Sequence, residues 1–284
     1  MSLDVIFWDV QHGNATYIKT PNGRHVVIDL GTGSYKGKST FSPLLYLKER
    51  FGVNRINFLR ITHPHKDHIS DIFNIDELNP IIFSRPKGLT REDVMKDVRE
   101  EDKPYYEKYF KFSERYNVPV SEEDKLNNTN NWGGVVFESF YPSLDRININ
   151  NCSHVTVISY AQSKIIIPGD NEPPSWNELL SNTSFVKAIK NADVLLAPHH
   201  GRNSGWCKDL FNHFKPSLTI ISDGRFGDTS ATDRYSNIST GWIVHRRSGG
   251  NEKRYCVTTR KDGVIRVRCY YGENRQTYRA VTIN

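Results

Sequence analysis

The stretch "INFLRITHPHKDHISDI" constrains this chain more than any other. Ile56 to Thr62 is a mostly apolar run with β-branched residues, which predicts a buried strand. It ends in His63, His65, Asp67 and His68, three imidazoles and a carboxylate within six residues. Polar groups at that density are unfavourable in a core unless something binds them. The strand must therefore deliver them to a loop at a sheet edge, where one short segment lets four side chains converge. Imidazole and carboxylate donors suit zinc, manganese or iron.

The rest of the chain reads as strands with intervening helices. "LDVIFWDV" alternates as a strand, and "HVVIDL" follows a turn at Pro21-Asn22-Gly23, a strong hairpin signal. "SPLLYLKERFG" has helical spacing and a glycine stop, and "ISDIFNI" predicts a short helix. From about residue 87 to 131 the composition turns charged and aromatic. Helical spacing there is broken by Pro104, which predicts a helical insertion or lid rather than a separate domain. Strands return in "VVFESFYP", "HVTVISY" and "KIIIPGD". A helix is expected over Trp176 to Ile189, then the strand of "ADVLLAPHHG", a helix in "CKDLFNHFK" and a strand in "SLTIISDG". Two or three more strands are expected in "WIVHRRSGGNEKRYCVTTRKDGVIRVRCYY". The pattern predicts an α/β (α+β) fold, a layered αββα sandwich, as a single domain over residues 1–284.

Three further stretches carry chemistry. "IIIPGDNEP" puts Asp170 at a strand end, where a carboxylate can bridge two metals about 3.5–4 Å apart. "APHHGRNSG" puts His199 and His200 after an apolar strand, one suited to a metal and the other to phosphate contact or acid catalysis. "NNCSHVTVI" puts His154 at a strand start, sixteen residues before Asp170, so one hairpin can carry both.

Composition narrows the class. The net charge is +6, without a Lys/Arg run. That excess fits a polyanionic partner as well as a protein simply away from neutrality. The four cysteines lack CxxC spacing, so reduced thiols are expected rather than a zinc ribbon or a disulfide framework. The opening residues lack a basic and then apolar leader, and no apolar stretch approaches 18 residues, so a cytoplasmic protein without a membrane span is expected. The sequons at Asn127 and Asn182 then have no role.

Taken together, "THPHKDH", "NNCS", "GD" and "HHG", in that order over about residues 4–228, resemble the metallo-β-lactamase superfamily. Within it they are similar to the hydrolase domain of ComEC-type competence proteins. The resemblance implies a four-layer αββα sandwich with up to two divalent metals, Zn or Mn, at one edge. His63 and His65 would hold the first, Asp67 and His68 the second, and Asp170 would bridge them. Asp67 would also orient the attacking hydroxide. Two departures stand out. His154 occupies a position that is usually apolar, and would restore a third histidine to the first metal. Asp228 in "FGDTSAT" stands where a histidine is usual, and either replaces that ligand or leaves the second metal more weakly held. "QHGN" departs from the usual "GQGD", and no role is assigned there.

The resulting expectation is a metal-dependent hydrolase with Asp67, His199 and His200 as catalytic residues. A phosphodiesterase or nuclease is favoured, with nucleic acid or another phosphodiester as partner. The basic tail (Arg246, Arg247, Lys253, Arg254, Arg260, Lys261, Arg266 and Arg268) would neutralise phosphates. Tyr105, Tyr106, Tyr109, Phe110 and Phe112 would either stack on bases or pack locally. The alternatives are a hydrolase of a small ester, lactam or phosphorylated cell-wall component, and a non-catalytic metal-binding module.

Overall fold

Burial along the first strand already calls for two apolar neighbours. Leu3, Val5 and Phe7 point into one core, while Ile6 and the following Trp8 point into another. A strand buried on both faces needs a layer on either side. A computed structural model of the chain, describing residues 1–33, 40–224 and 231–284, supplies both.

The strands in chain order are β1 (Ser2–Phe7), β2 (Thr16–Lys19), β3 (His25–Ile28), β4 (Phe58–Arg60), β5 (Ile82–Ser84), β6 (Val136–Phe140), β7 (Val155–Tyr160) and β8 (Ser163–Ile167). There follow β9 (Val194–Leu196), β10 (Leu218–Ile221), β11 (Trp242–Arg246), β12 (Asn251–Arg254), β13 (Cys256–Thr258), β14 (Ile265–Tyr271) and β15 (Thr277–Ile283). Among the described residues they form two sheets, ordered β12-β11-β15-β14-β1-β2-β3-β4-β5 and β13-β10-β9-β8-β7-β6. The α-helices are α1 (Pro43–Phe51), α2 (Lys66–Ile69), α3 (Arg91–Met95), α4 (Lys103–Ser113), α5 (Pro173–Leu180), α6 (Thr183–Ile189), α7 (Thr232–Ile238) and α8 (Thr259–Asp262).

Three cores separate the layers. Val5, Ile28, Ile158, Ile167 and Val267 fill the space between the sheets. Val27 and Leu59 meet Leu44 and Leu47 of α1, and Tyr106, Tyr109 and Phe112 of α4, on the outer face of the first sheet. Ile166 and Leu195 meet Trp176, Leu179, Phe185 and Ile189 of α5 and α6 on the outer face of the second. This is the four-layer αββα sandwich that the sequence predicts.

Local chemistry explains where elements begin and end. Ser42 caps α1 by accepting from Leu45 N, and Gly52 closes it at φ 63°. Pro104 does not break a helix: it lies in the first turn of α4, where its missing N–H has no helical partner to lose. The helix expected over Trp176 to Ile189 is two helices, because Asn182 accepts from Ser184 N and Phe185 N and starts a new one. Residues 72–77 and 208–212 form 3₁₀ turns. The tail stretch holds four strands rather than two or three. Residues 256–258 leave the first sheet and pair with β10 in the second.

Parallel pairings decide where the polar loops emerge. β3, β4 and β5 run parallel in one sheet, and β8, β9 and β10 run parallel in the other. Their C-terminal ends release loops toward one edge of the sandwich.

Candidate metal centre

β4 carries the chain to Thr62 and His63, and the single turn of α2 returns Asp67 and His68 to the same place. His63 Nε2 lies 3.0 Å from His65 Nδ1, and its own Nδ1 is 3.2 Å from Ser153 Oγ. His68 Nδ1 is 2.8 Å from Asp29 Oδ2, which fixes its ring. Asp29, just past β3, adopts φ 62°. Its carboxylate also accepts from Thr62 N at 2.7 Å, Thr62 Oγ1 and Asn14 Nδ2 at 3.0 Å. The loop beneath is tight. A side chain at Gly13 (φ 144°) would place its Cβ 2.5 Å from the Asp67 carbonyl oxygen, which accepts from Asn14 N.

The second sheet contributes the other half. Asp170 follows β8, and Ser153 Oγ holds its backbone N–H at 2.9 Å. His199 and His200 follow β9 in consecutive left-handed conformations, φ 49° and 53°. Such strain in non-glycine residues persists only where the surroundings impose it. His200 Nδ1 is 3.1 Å from Ser222 O, and its Nε2 is 3.2 Å from both Asp67 Oδ2 and Asp170 Oδ2. His68 Nε2 is 3.2 Å from Asp170 Oδ1. His63 and His199 approach Asp170 at 3.9 Å each, and His199 Nδ1 is 3.0 Å from Glu172 Oε1. Four imidazoles therefore surround one buried carboxylate.

The electrostatics split the histidines. Burial works against charging His68 and His200, but neighbouring carboxylates outweigh it. Asp170 and Asp29 hold His68 well above the usual range, and Asp170 and Asp67 hold His200 at about 10. Burial opposes ionisation of Asp67 and Asp170 too, yet His200 and His68 keep both well below the usual carboxylate range. Burial, with repulsion from His68, pushes His63 well down, and burial also lowers His65 and His199.

Donor geometry fits divalent cations. Ligand atoms of Asp67, His68, Asp170 and His200 all lie within 4.8 Å of one another. The Nε2 atoms of His68 and His200 face each other at 3.4 Å, and His63 Nε2 faces His65 Nδ1 at 3.0 Å. Two nitrogens bound to one tetrahedral zinc lie roughly 3.3 Å apart. Ring nitrogens facing at such distances gain from a shared cation.

The sequence-derived candidates fare differently. His63, His65, Asp67, His68, Asp170, His199 and His200 come together at this edge. His154 does not join them. Strand alternation gives the inward position to Ser153 and turns His154 the other way, with its ring 4.4 Å from that of Tyr141. Asp228 lies outside the described residues. The basic tail is largely neutralised. Arg266 and Arg268 flank Asp4 at 2.7 and 2.8 Å, Arg254 pairs with Asp262, Arg260 with Asp223, and Arg246 with Glu252. Tyr106, Tyr109 and Phe112 are buried under the first sheet rather than displayed. Tyr106 instead supports the start of α2. Its hydroxyl accepts from Lys66 N at 3.1 Å, while Lys66 Nζ pairs with Asp102.

Sequence reasoning missed Asp29, Ser153, Glu172 and His12. His12, from the departing "QHGN", lies 3.4 Å from Asp67 Oδ2 with its ring 4.7 Å from that of His200. Burial and His200 hold it neutral, down at about 4. The only advance signal was position, a polar residue just past an apolar strand.

Comparison with known proteins adds to this geometry. The family model described as "Metallo-beta-lactamase superfamily" matches residues 8–211. ComE operon protein 3 of Bacillus subtilis (strain 168) is 25% identical over 236 residues, covering 76% of this chain and 28% of the relative. Recombination protein 2 of Haemophilus influenzae is 24% identical over 220 residues, covering 77% of this chain and 24% of the relative. The chain thus spans about a quarter of the length of either. Among solved structures, a long form RNase Z from yeast superposes with a TM-score of 0.48 at 13% identity, covering 92% of this chain and 41% of that one.

Proposed function

The chain belongs to the metallo-beta-lactamase superfamily, and from that premise we propose that it is a phosphodiesterase working with two divalent cations, and in the first instance a nuclease. His63 and His65, with His199 opposite, would hold one cation, and Asp67, His68 and His200 the other, with Asp170 between them. Bound there, the cations supply Lewis acidity and acidify water near neutral pH. Asp67 is the member of its group that reaches solvent, with 24% of its side chain exposed, and it is placed to orient a nucleophile. Neutral His12, beside Asp67 and His200, is placed to bond a substrate oxygen. The helices of residues 87–131 belong to the same unit and brace the Asp67 loop through Tyr106.

One observation carries the phosphodiester reading. The cleft beside Asp67, about 530 Å³, is lined by His12, Thr32, Lys66 and Tyr105, and Arg202 reaches His12 from the rim at 3.0 Å. Arg202 and several hydroxyls at the mouth, beside Lys66 whose charge Asp102 partly offsets, favour an anionic substrate over a neutral lactam or ester. One relative is named for recombination, which agrees with nucleic acid as substrate. The test is a panel: bis(p-nitrophenyl) phosphate, single- and double-stranded DNA, p-nitrophenyl acetate and a chromogenic lactam, each with added Mn²⁺ or Zn²⁺. Cleavage of the phosphodiesters alone, lost in Asp67→Ala, is expected. Lactam or acetate turnover with inert phosphodiesters would replace this reading with small-ester or lactam hydrolysis.

A further inference from the structure

Behind the metal edge lies a second concentration of buried polar groups. Arg60, on the inner face of β4, is 1% exposed. Its neighbours are neutral hydroxyls: Thr156 Oγ1 at 2.5 Å, Ser139 Oγ at 2.9 Å, Ser84 Oγ at 3.3 Å and Tyr141 OH at 3.5 Å. Among the described residues no carboxylate pairs with it. A guanidinium buried between two sheets with no carboxylate at ion-pair distance, and only the more remote charge of Asp29 to offset it, is strongly unfavourable. Apolar residues would pack there better unless the charge has a use.

Arg60 lines a cavity of about 920 Å³ between the two sheets. His154 lines it too, 7% exposed, with its Nδ1 buried and unpartnered. Of the charged residues around the cavity, Arg60, Arg85, Lys87 and Lys125 are cationic and Glu138 is the single acid. The remaining wall is mostly apolar, with Phe58, Ile82, Leu126 and Phe137 among it. The volume is that of a small-molecule site, too large for a bare inorganic anion.

We propose that this inter-sheet cavity binds an amphipathic organic anion, its carboxylate or phosphate head on Arg60 within the ring of hydroxyls and its apolar body along Phe58, Leu126 and Phe137. His154 Nδ1 supplies a further polar contact. The same backbone serves both sites, since Ser153 faces the metal edge and His154 the cavity, and His154 N donates to Thr62 O at 3.0 Å. Occupancy of the cavity does not depend on the hydrolase reading.

Titration calorimetry and thermal shift of the full chain with decanoate, decyl phosphate and decanol test it. The two anions separate a carboxylate from a phosphate head, and decanol removes the charge. At least one anion is expected to bind with one-to-one stoichiometry and to raise Tm, at least tenfold tighter than decanol. Asp67→Ala should bind it unchanged, which excludes the metal edge as the seat. Arg60→Met should weaken it at least tenfold while melting no lower than the unliganded wild type. Should Arg60→Met not fold, Leu126→Trp, which fills the cavity, should abolish binding while melting no lower than the unliganded wild type. No binding of either anion at millimolar concentration would overturn the proposal. So would decanol binding equally well, or unaltered binding in Arg60→Met or, in its place, Leu126→Trp.

Discussion

The two halves of the metal edge are built to different standards. Asp67, His68, Asp170 and His200 form a closed group with 3.2 Å contacts between imidazole and carboxylate, and each of its imidazoles is pinned from behind. Asp29 holds His68 and the Ser222 carbonyl holds His200. His63, His65 and His199 are looser, with His63 and His199 each 3.9 Å from Asp170, and Ser153 and Glu172 are their supports. Packing of the candidate ligands thus does not follow the order of the motif. The resemblance left two readings of the Asp67/His68 side, with Asp228 in place of the late histidine or with a more weakly held metal; among the described residues that side is the more closely packed half.

Substitutions put that contrast to the test. Asp170→Ala should have the largest effect, because it removes the carboxylate common to both halves. Metal content should fall for both cations, and turnover should drop by more than the ~10–100-fold that loss of an outer hydrogen-bond partner produces. His65→Ala should separate the halves: elemental analysis should show one retained metal per chain, on the Asp67 side. Asp29→Asn and Ser153→Ala then compare the supports. Asp29→Asn should weaken metal binding ~10–100-fold by isothermal titration. Ser153→Ala, which loses one neutral hydrogen bond to each of two groups, should weaken it only several-fold. The smallest effect is expected at Tyr106→Phe, about 1 kcal/mol of stability by denaturant melting, from the lost acceptor for Lys66 N.

A pH prediction comes from beneath the site. Asp71 caps the start of α1 through Ser42 Oγ and Leu44 N. Burial raises it to about 6 despite hydrogen bonds from Asn74, Leu44 and Ser42. Folded Asp71 therefore binds a proton more readily than unfolded Asp71, and its contribution to stability falls as pH rises from about 4 to about 6. Asp71→Asn should remove that slope, measured by urea melts across this window.

Much of this edge was legible because its candidate ligands are chemically rare at strand ends. Three histidines and an aspartate in six residues, a Gly-Asp and a His-His-Gly have few ordinary uses together. Asp29, Ser153 and His12 were not legible, because a single polar residue beside a strand is commonplace until the fold brings it to a ring nitrogen. His154 shows the limit most sharply. Side chains alternate along a strand, so a one-residue uncertainty in register exchanges the metal side for the cavity side. Arg60 likewise reads as an interruption in "FLRIT" until the second sheet covers it. The layers themselves followed from patterning, since β1 alternates between two cores. The 3₁₀ turns did not, because their apolar residues are spaced as in an α-helix that is too short to continue.

We propose that this edge holds two divalent cations unequally and that Asp67 couples them to hydrolysis. The most direct test is to strip the protein with chelator and titrate Mn²⁺ or Zn²⁺ back, with stoichiometry read by calorimetry and bis(p-nitrophenyl) phosphate cleavage measured in the same samples. Two binding events of different affinity are expected, the tighter surviving in His65→Ala, with cleavage appearing as the second site fills and absent in Asp67→Ala. A single site lost in His65→Ala, or cleavage that persists in Asp67→Ala, would contradict it.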